Sequence, residues 1–321
     1  MVENQQYIDS FLAHSKKKNL SARTQVAYGK NISDFLGFWQ KKHPKREPLT
    51  ATTEDILAYF DHLKKMGCSP ASLRRQLSAL RNFYNYHHEI GNISTPPTKP
   101  IASTQFPDQS TAPKPLTVQE IHQVLDSINT NFARGIRKRA IIELLWATGM
   151  QSSELLALDF QDIDLDAGTV MIRGEDRIKP RIMPLSPGAK KWLIAYLHSI
   201  GKSVKKAEIS ALGELAAAAA EMAKELGVKQ GETMRDKHAL FVGVHGKRIF
   251  PQHLFDMLKR QGKGAGLNQP LHANAFRRAY ATRMLEYGVP VASLQELMGH
   301  TSIDSTKRYL PEQYRWTGDK S

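Results

Sequence analysis

Asn274-Ala-Phe-Arg-Arg-Ala-Tyr-Ala-Thr282 and Met298-Gly-His-Thr-Ser-Ile-Asp-Ser-Thr-Lys-Arg-Tyr-Leu310 decide how this chain is read. They set Arg277, His300 and Tyr309 in order near the C-terminus. Those three residue types suit phosphoryl transfer from DNA. A guanidinium holds the scissile phosphate, an imidazole hydrogen-bonds a phosphate oxygen, and a phenol attacks phosphorus. Any one of them alone has an ordinary explanation: a salt-bridging arginine, a capped Gly-His turn, a packed tyrosine. Their company and spacing carry the reading.

Composition agrees with a nucleic-acid partner. The 321-residue chain is 41% hydrophobic and 24% charged, as expected for one or two globular domains rather than a disordered chain. Its net charge of +14 calls for a polyanion, and counterion release makes DNA the natural one. The basic runs Lys16-Lys17-Lys18, Lys41-Lys42 and Arg137-Lys138-Arg139 lie far apart, so the positive surface is spread over both halves. No apolar run approaches a membrane span, and the first residues lack a signal peptide's pattern. A single cysteine, Cys68, rules out an internal disulfide and a cysteine-based zinc site. The expectation is a cytoplasmic, nucleoid-associated protein.

The first ninety residues read as four helices. They begin near Ile8, at Ser21, at Thr53 and at Ser69-Pro70, each with an apolar stripe. Residues 92–116 are rich in Pro, Ser and Thr and are expected to form an extended linker. From 117 onward, Thr117 caps a helix, Ala140–Trp146 reads as a buried helix ending at Thr148-Gly149, and Ser152 starts another. Thr169–Arg173 and Arg181–Leu185 read as a strand pair around a turn at 174–180. About 202–237 forms an insert, with an Ala-rich helix at 210–226. The expected domains are thus 1–91, a linker at 92–116, and 117–321 carrying the insert.

The C-terminal stretch resembles the tyrosine recombinase (phage integrase) family, whose members carry His-x-x-Arg, Leu-Gly-His and a nucleophilic Tyr at this spacing. The resemblance implies a mainly α fold in a two-domain, C-shaped DNA clamp. A helical core-binding domain precedes an α+β catalytic domain with a small β-hairpin sheet. It implies cutting and rejoining of a double-stranded recombination site, as in integration of mobile DNA, through a 3′-phosphotyrosyl bond, with no metal and no cofactor. Tyr309 matches the nucleophile, and Arg277 and His300 match phosphate ligands. A multimer on DNA, with itself or with a partner recombinase, is the expected assembly. The residues after Tyr309 are too few for a long docking helix, so free protein is expected to be monomeric. DNA contacts are expected from Lys17, Arg23, Lys42, Arg74, Arg75, Arg81 and Lys138.

Three positions depart from the family pattern. Gln151 stands where the first arginine belongs, Asn274 where the first histidine belongs, and Glu175 in the slot of the hairpin lysine. Gln151 brings neither charge nor bidentate fork, and Glu175 brings the wrong sign. Lys179, or Arg177, is a candidate substitute in a turn one residue longer than usual. Two readings stand at this point: an active recombinase, or a weakened or silent paralogue that binds recombination-site DNA beside an active partner.

Overall fold

The computed structural model describes residues 2–18, 20, 22–107, 114–174, 178–200, 238–243 and 246–309. The expected insert at 202–237, Glu175, and the residues after Tyr309 lie outside the described residues, as do the side chains of Lys17 and Arg23. The chain divides into two compact units, Met1–Ala112 and Pro113–Ser321.

The first unit is helical: α1 (Val2–Lys17), α2 (Ala22–Lys42), α3 (Thr53–Lys65) and α4 (Pro70–Glu89). Local chemistry sets the starts. Thr52 and Asp55 form a reciprocal capping box before α3. Ser69 caps α4, with Pro70 in the first turn where its missing N–H costs nothing. The helices close on an aromatic core: Phe35 lies against Tyr59 and Tyr84, and Phe83 against Phe11. Gln76 is buried there and donates to Asn31 O at 2.5 Å and to the Tyr59 hydroxyl at 3.0 Å.

The stretch expected to be an extended linker differs in its first half. Ile101 and Phe106 are buried in the first unit's core, and Phe106 packs 4.7 Å from Phe60 between ring centroids. Two arginines of α4 hold it: Arg74 Nη1 donates to Phe106 O at 2.7 Å, and Arg81 donates to Ile101 O and, at 3.0 Å, to Ser103 Oγ. Two apolar anchors outweigh the Pro/Thr composition, because the arginines satisfy backbone carbonyls that burial would otherwise strand.

The second unit opens with α5 (Val118–Asp126), which Thr117 and Glu120 start as a capping box. α6 (Ala133–Thr148) is buried on most sides and stops at Gly149, which is left-handed at φ +60. α7 (Ser152–Ala157) follows, then a three-stranded antiparallel sheet of β1 (Ile163–Asp164), β2 (Thr169–Ile172) and β3 (Arg181–Pro184) in that order. β2 and β3 pair Thr169 with Pro184 and Ile172 with Arg181. β1 has two residues, too few to show a period in sequence. α8 (Pro187–Ser199) packs on α6, and the described chain continues through α9 (Pro251–Gly264), α10 (Ala273–Glu286), α11 (Val291–Leu297) and α12 (Ile303–Lys307).

Candidate active site

α10 carries the first of the site's charges inward. His272 caps the helix, its Nδ1 accepting from the Ala275 N–H at 3.1 Å. That use of its ring makes it part of the helix start. One turn on, Arg277 is 1% exposed, deeper than almost any arginine that lacks a partner would sit. Its Nη1 donates to Gly149 O at 2.8 Å and its Nη2 to Met298 O at 2.6 Å, while Nε is buried without a hydrogen-bond partner. Burial pulls its pKa below the ordinary value, and the guanidinium stays charged at neutral pH.

α11 delivers the histidine. Its chain turns at Gly299, left-handed at φ +68, where a Cβ would lie 2.7 Å from Arg181 Nη1. His300 follows, 7% exposed. Its Nε2 lies 2.9 Å from Arg277 Nη2 and its Nδ1 lies 2.8 Å from Thr306 Oγ1. Because an arginine only donates, Nε2 is the acceptor and Nδ1 carries the proton to Thr306. Burial, with the charges of Arg277 and Arg181 behind it, lowers the His300 pKa to about 4, so the ring is neutral at pH 7.

Tyr309 completes the group. Its ring stacks on His300 at 5.8 Å and 21°, and its hydroxyl donates to Asn274 Oδ1 at 3.2 Å. Asn274 therefore sits beside the phenol and makes a neutral contact there. Arg277, His300, Tyr309 and Asn274, separated in sequence, meet in one place.

The other expected positions lie around this core. Gln151 is half-buried and begins α7, its backbone N–H bonding Glu154 Oε2 at 2.6 Å. Lys179 is exposed, and its backbone N–H bonds Gly299 O at 3.0 Å; Ile178 pairs with His300 as an isolated bridge. The residues leading into β3 are thereby tied to the histidine turn.

Sequence reading passed over Arg181. It grips buried Glu154 with both Nη atoms, at 2.6 and 3.1 Å, and its side chain is 7% exposed. Arg277 Nη1 lies 3.9 Å from the same Glu154 Oε2. The signal was the strand period: Arg181 and Met183 share a face of β3, and Met183 is buried.

Among residues expected to touch DNA, Lys42 and Arg75 are exposed and Lys138 is half-buried. Arg74 and Arg81 are half-buried, and each donates to a backbone carbonyl of residues 101–106, so both help to pack the first unit. Among the described residues no cluster of His, Cys, Asp or Glu is placed to hold a metal ion. No described helix is long and apolar enough to cross a membrane.

Residues 114–315 match the phage integrase family, and residues 8–89 match the phage integrase N-terminal SAM-like domain. Tyrosine recombinase XerD of Listeria innocua is 28% identical over 304 residues, covering 94% of this chain and 92% of that one. Tyrosine recombinase XerC of Pelotomaculum thermopropionicum is 28% identical over 308 residues, covering 94% and 92%. The Tn1549 transposon integrase, solved with transposon right end DNA, aligns with a TM-score of 0.68 at 16% identity, covering 95% of this chain and 94% of that one. The XerH site-specific recombinase bound to difH substrate, in a pre-cleavage complex, aligns at 0.64 and 21% identity, covering 95% and 81%. Both alignments agree with the mainly helical, two-domain architecture.

Proposed function

The chain belongs to the phage integrase family, the tyrosine recombinases, and from that premise we propose that it cuts and rejoins specific sites in double-stranded DNA through Tyr309. The observation that carries this is the meeting of Tyr309, His300 and Arg277 in one cluster, with the phenol stacked on the imidazole and the imidazole bonded to the guanidinium. Relatives along nearly the whole chain are named tyrosine recombinases, which favours an active enzyme over a silent paralogue.

In the proposed step the Tyr309 oxygen attacks phosphorus and the bond to the 5′ oxygen breaks, leaving a 3′-phosphotyrosyl ester. The entering phosphate draws the Arg277 Nη2 donor away from His300 Nε2, and the lone pair so released takes the phenol proton, which Nε2 then donates to a phosphate oxygen. The entering phosphate offsets the positive charges that hold the imidazole neutral, so proton uptake becomes easier as the anion arrives. Arg277 neutralises charge on the five-coordinate phosphorus. Lys179, exposed and tied by its backbone to Gly299, is the proposed proton donor to the departing 5′ oxygen. A 5′ hydroxyl of another strand reverses the ester, so the step needs no metal or nucleotide. Each unit contacts duplex DNA in this reading, with Lys42 and Arg75 of the first and Lys138 of the second on its phosphates, and synapsis assembles a multimer there.

The test uses a duplex that the full chain selects from a random library, nicked beside the reactive phosphate so that the cut strand diffuses away. Wild type should accumulate a covalent adduct on denaturing gels, and Tyr309→Phe should form none while binding the same duplex. Adduct from Tyr309→Phe, or none from wild type at any nick position, overturns the proposal.

A further inference from the structure

We infer that Arg181, delivered by the hairpin strand, supplies the second guanidinium of the phosphate site, at the place where Gln151 offers no charge. This rests on the proposed strand-cutting reaction and adds a phosphate-binding residue to it.

Four observations converge. Arg181 is nearly buried, 7% exposed in its side chain, yet it comes from a short strand whose neighbour Ile182 is 61% exposed. Such a strand does not need a buried cation for packing. Second, Arg181 and Arg277 both lie within 4 Å of one carboxylate oxygen, Glu154 Oε2, so two guanidinium groups share a counter-ion in one buried spot. Glu154 also accepts the Gln151 N–H, which puts the uncharged residue on the same anchor. Third, the end-on fork to Glu154 uses one proton from each Nη of Arg181, leaving further donors, and its Nε is buried without a partner, as is that of Arg277. Unspent buried donors on two adjacent cations describe a place short of an anion. Fourth, the Arg181 head lies directly beneath the Gly299 turn that presents His300. Only glycine leaves room for it there.

Glu154 then has a definable part. Two like charges brought this close repel strongly in a low-dielectric interior, and the carboxylate holds both in place before DNA arrives. It is a positioning residue. With Glu154 counted, the cluster carries one net positive charge with His300 neutral, and a bound phosphodiester brings the balance to zero. The pentacovalent state adds negative charge, which a second guanidinium meets and a glutamine does not.

Removing Arg181 alone would strand Glu154, so the test uses Arg181→Gln with Glu154→Gln, a neutral pair able to keep a hydrogen bond, alongside Glu154→Gln alone. On the nicked selected duplex, the paired variant should lose adduct formation by about 10²- to 10³-fold, the usual loss for one donor to a developing anion. Gln151→Arg added to the paired variant should restore most of it, which a purely structural role for Arg181 does not predict. Adduct at the wild-type rate in the paired variant, or no restoration by Gln151→Arg when the triple variant folds and binds, overturns the inference. If wild type itself forms no adduct, the cutting reaction fails but Arg181 is still tested. Single neutral methylphosphonates are then walked along the selected duplex. At one position the neutral linkage should weaken wild type more than the paired variant, which keeps only Arg277 there. An equal loss in both proteins at every position overturns the inference on binding grounds.

Discussion

The two units use arginine side chains for opposite purposes. In the first, Arg74 and Arg81 reach backbone carbonyls of residues 101–106, and the segment they hold adds Ile101 and Phe106 to the core. Their bonds serve the fold. In the second, Arg277, Arg181, Glu154 and His300 lie together with two guanidinium Nε atoms unsatisfied. A buried ionic cluster is a weak source of stability, since desolvation offsets much of the Coulomb gain. An arrangement that is costly and incompletely bonded in isolation points to a ligand that completes it.

The largest expected effect that sharpens this contrast is on stability. Glu154→Ala leaves Arg181 and Arg277 facing each other without a counter-ion, and should destabilise the second unit by about 3–5 kcal/mol, the usual cost of removing one partner of a buried pair. Urea unfolding followed by hydrogen exchange in each unit would show it; a loss below about 1 kcal/mol would mean the cluster is far better solvated than its burial indicates.

A middle-sized effect separates packing arginines from DNA arginines on a single helix. Arg81→Ala removes the bonds to Ile101 and Ser103 and should cost the first unit about 1–3 kcal/mol, with little change in how DNA affinity depends on salt. Arg75, one turn and a half earlier and exposed, should behave the other way. Arg75→Ala should leave stability near wild type and lower the salt slope of DNA binding by about 1, as for one phosphate contact. Titrations at several salt concentrations decide it, and identical slopes for the two variants would erase the distinction.

Helix starts and stops were legible because local chemistry writes them: the Thr117–Glu120 box, Ser69-Pro70, and Gly149 as a left-handed stop. The meeting of Arg277, His300 and Tyr309 was legible because their spacing is a pattern in itself. What escaped was direction. An arginine on an amphipathic helix reads as solvent-facing until its partner carbonyl is known, so the bonds of Arg74 and Arg81 to residues 101–106 were not legible. A Pro/Thr-rich stretch reads as linker until two apolar residues find a core. Arg181 was overlooked for a related reason: it lies outside the motif positions, and its strand period, the only clue, spans four residues.

The smallest effect concerns pH, and it compares two histidines with the same displaced pKa. Burial lowers His87 in the first unit to about 4, among the rings of Tyr7, Phe83 and Tyr86. His300 in the second unit is also lowered to about 4, by burial and then by Arg277 and Arg181. Each folded value lies below the ordinary 6.5, so the unfolded chain binds the extra proton first. Stability from each group is complete above about pH 6.5 and is lost as pH falls from there toward 4. Both units should therefore weaken over one acid window, and His87→Phe should remove that part of the loss in the first unit alone. The causes differ, however, and so should the remedy. An anion among the guanidinium groups of the second unit offsets the charges that depress His300, whereas nothing charged depresses His87. Sulfate, which remains a dianion through this window, should steepen neither curve but should recover more acid stability in the second unit than in the first. Its general salting effect strengthens both units alike, so the difference between them is the readout. Hydrogen exchange at pH 7 and pH 4.5, with and without sulfate, measures it unit by unit. Equal recovery in the two units would mean that the second unit's buried charges hold no place for an anion.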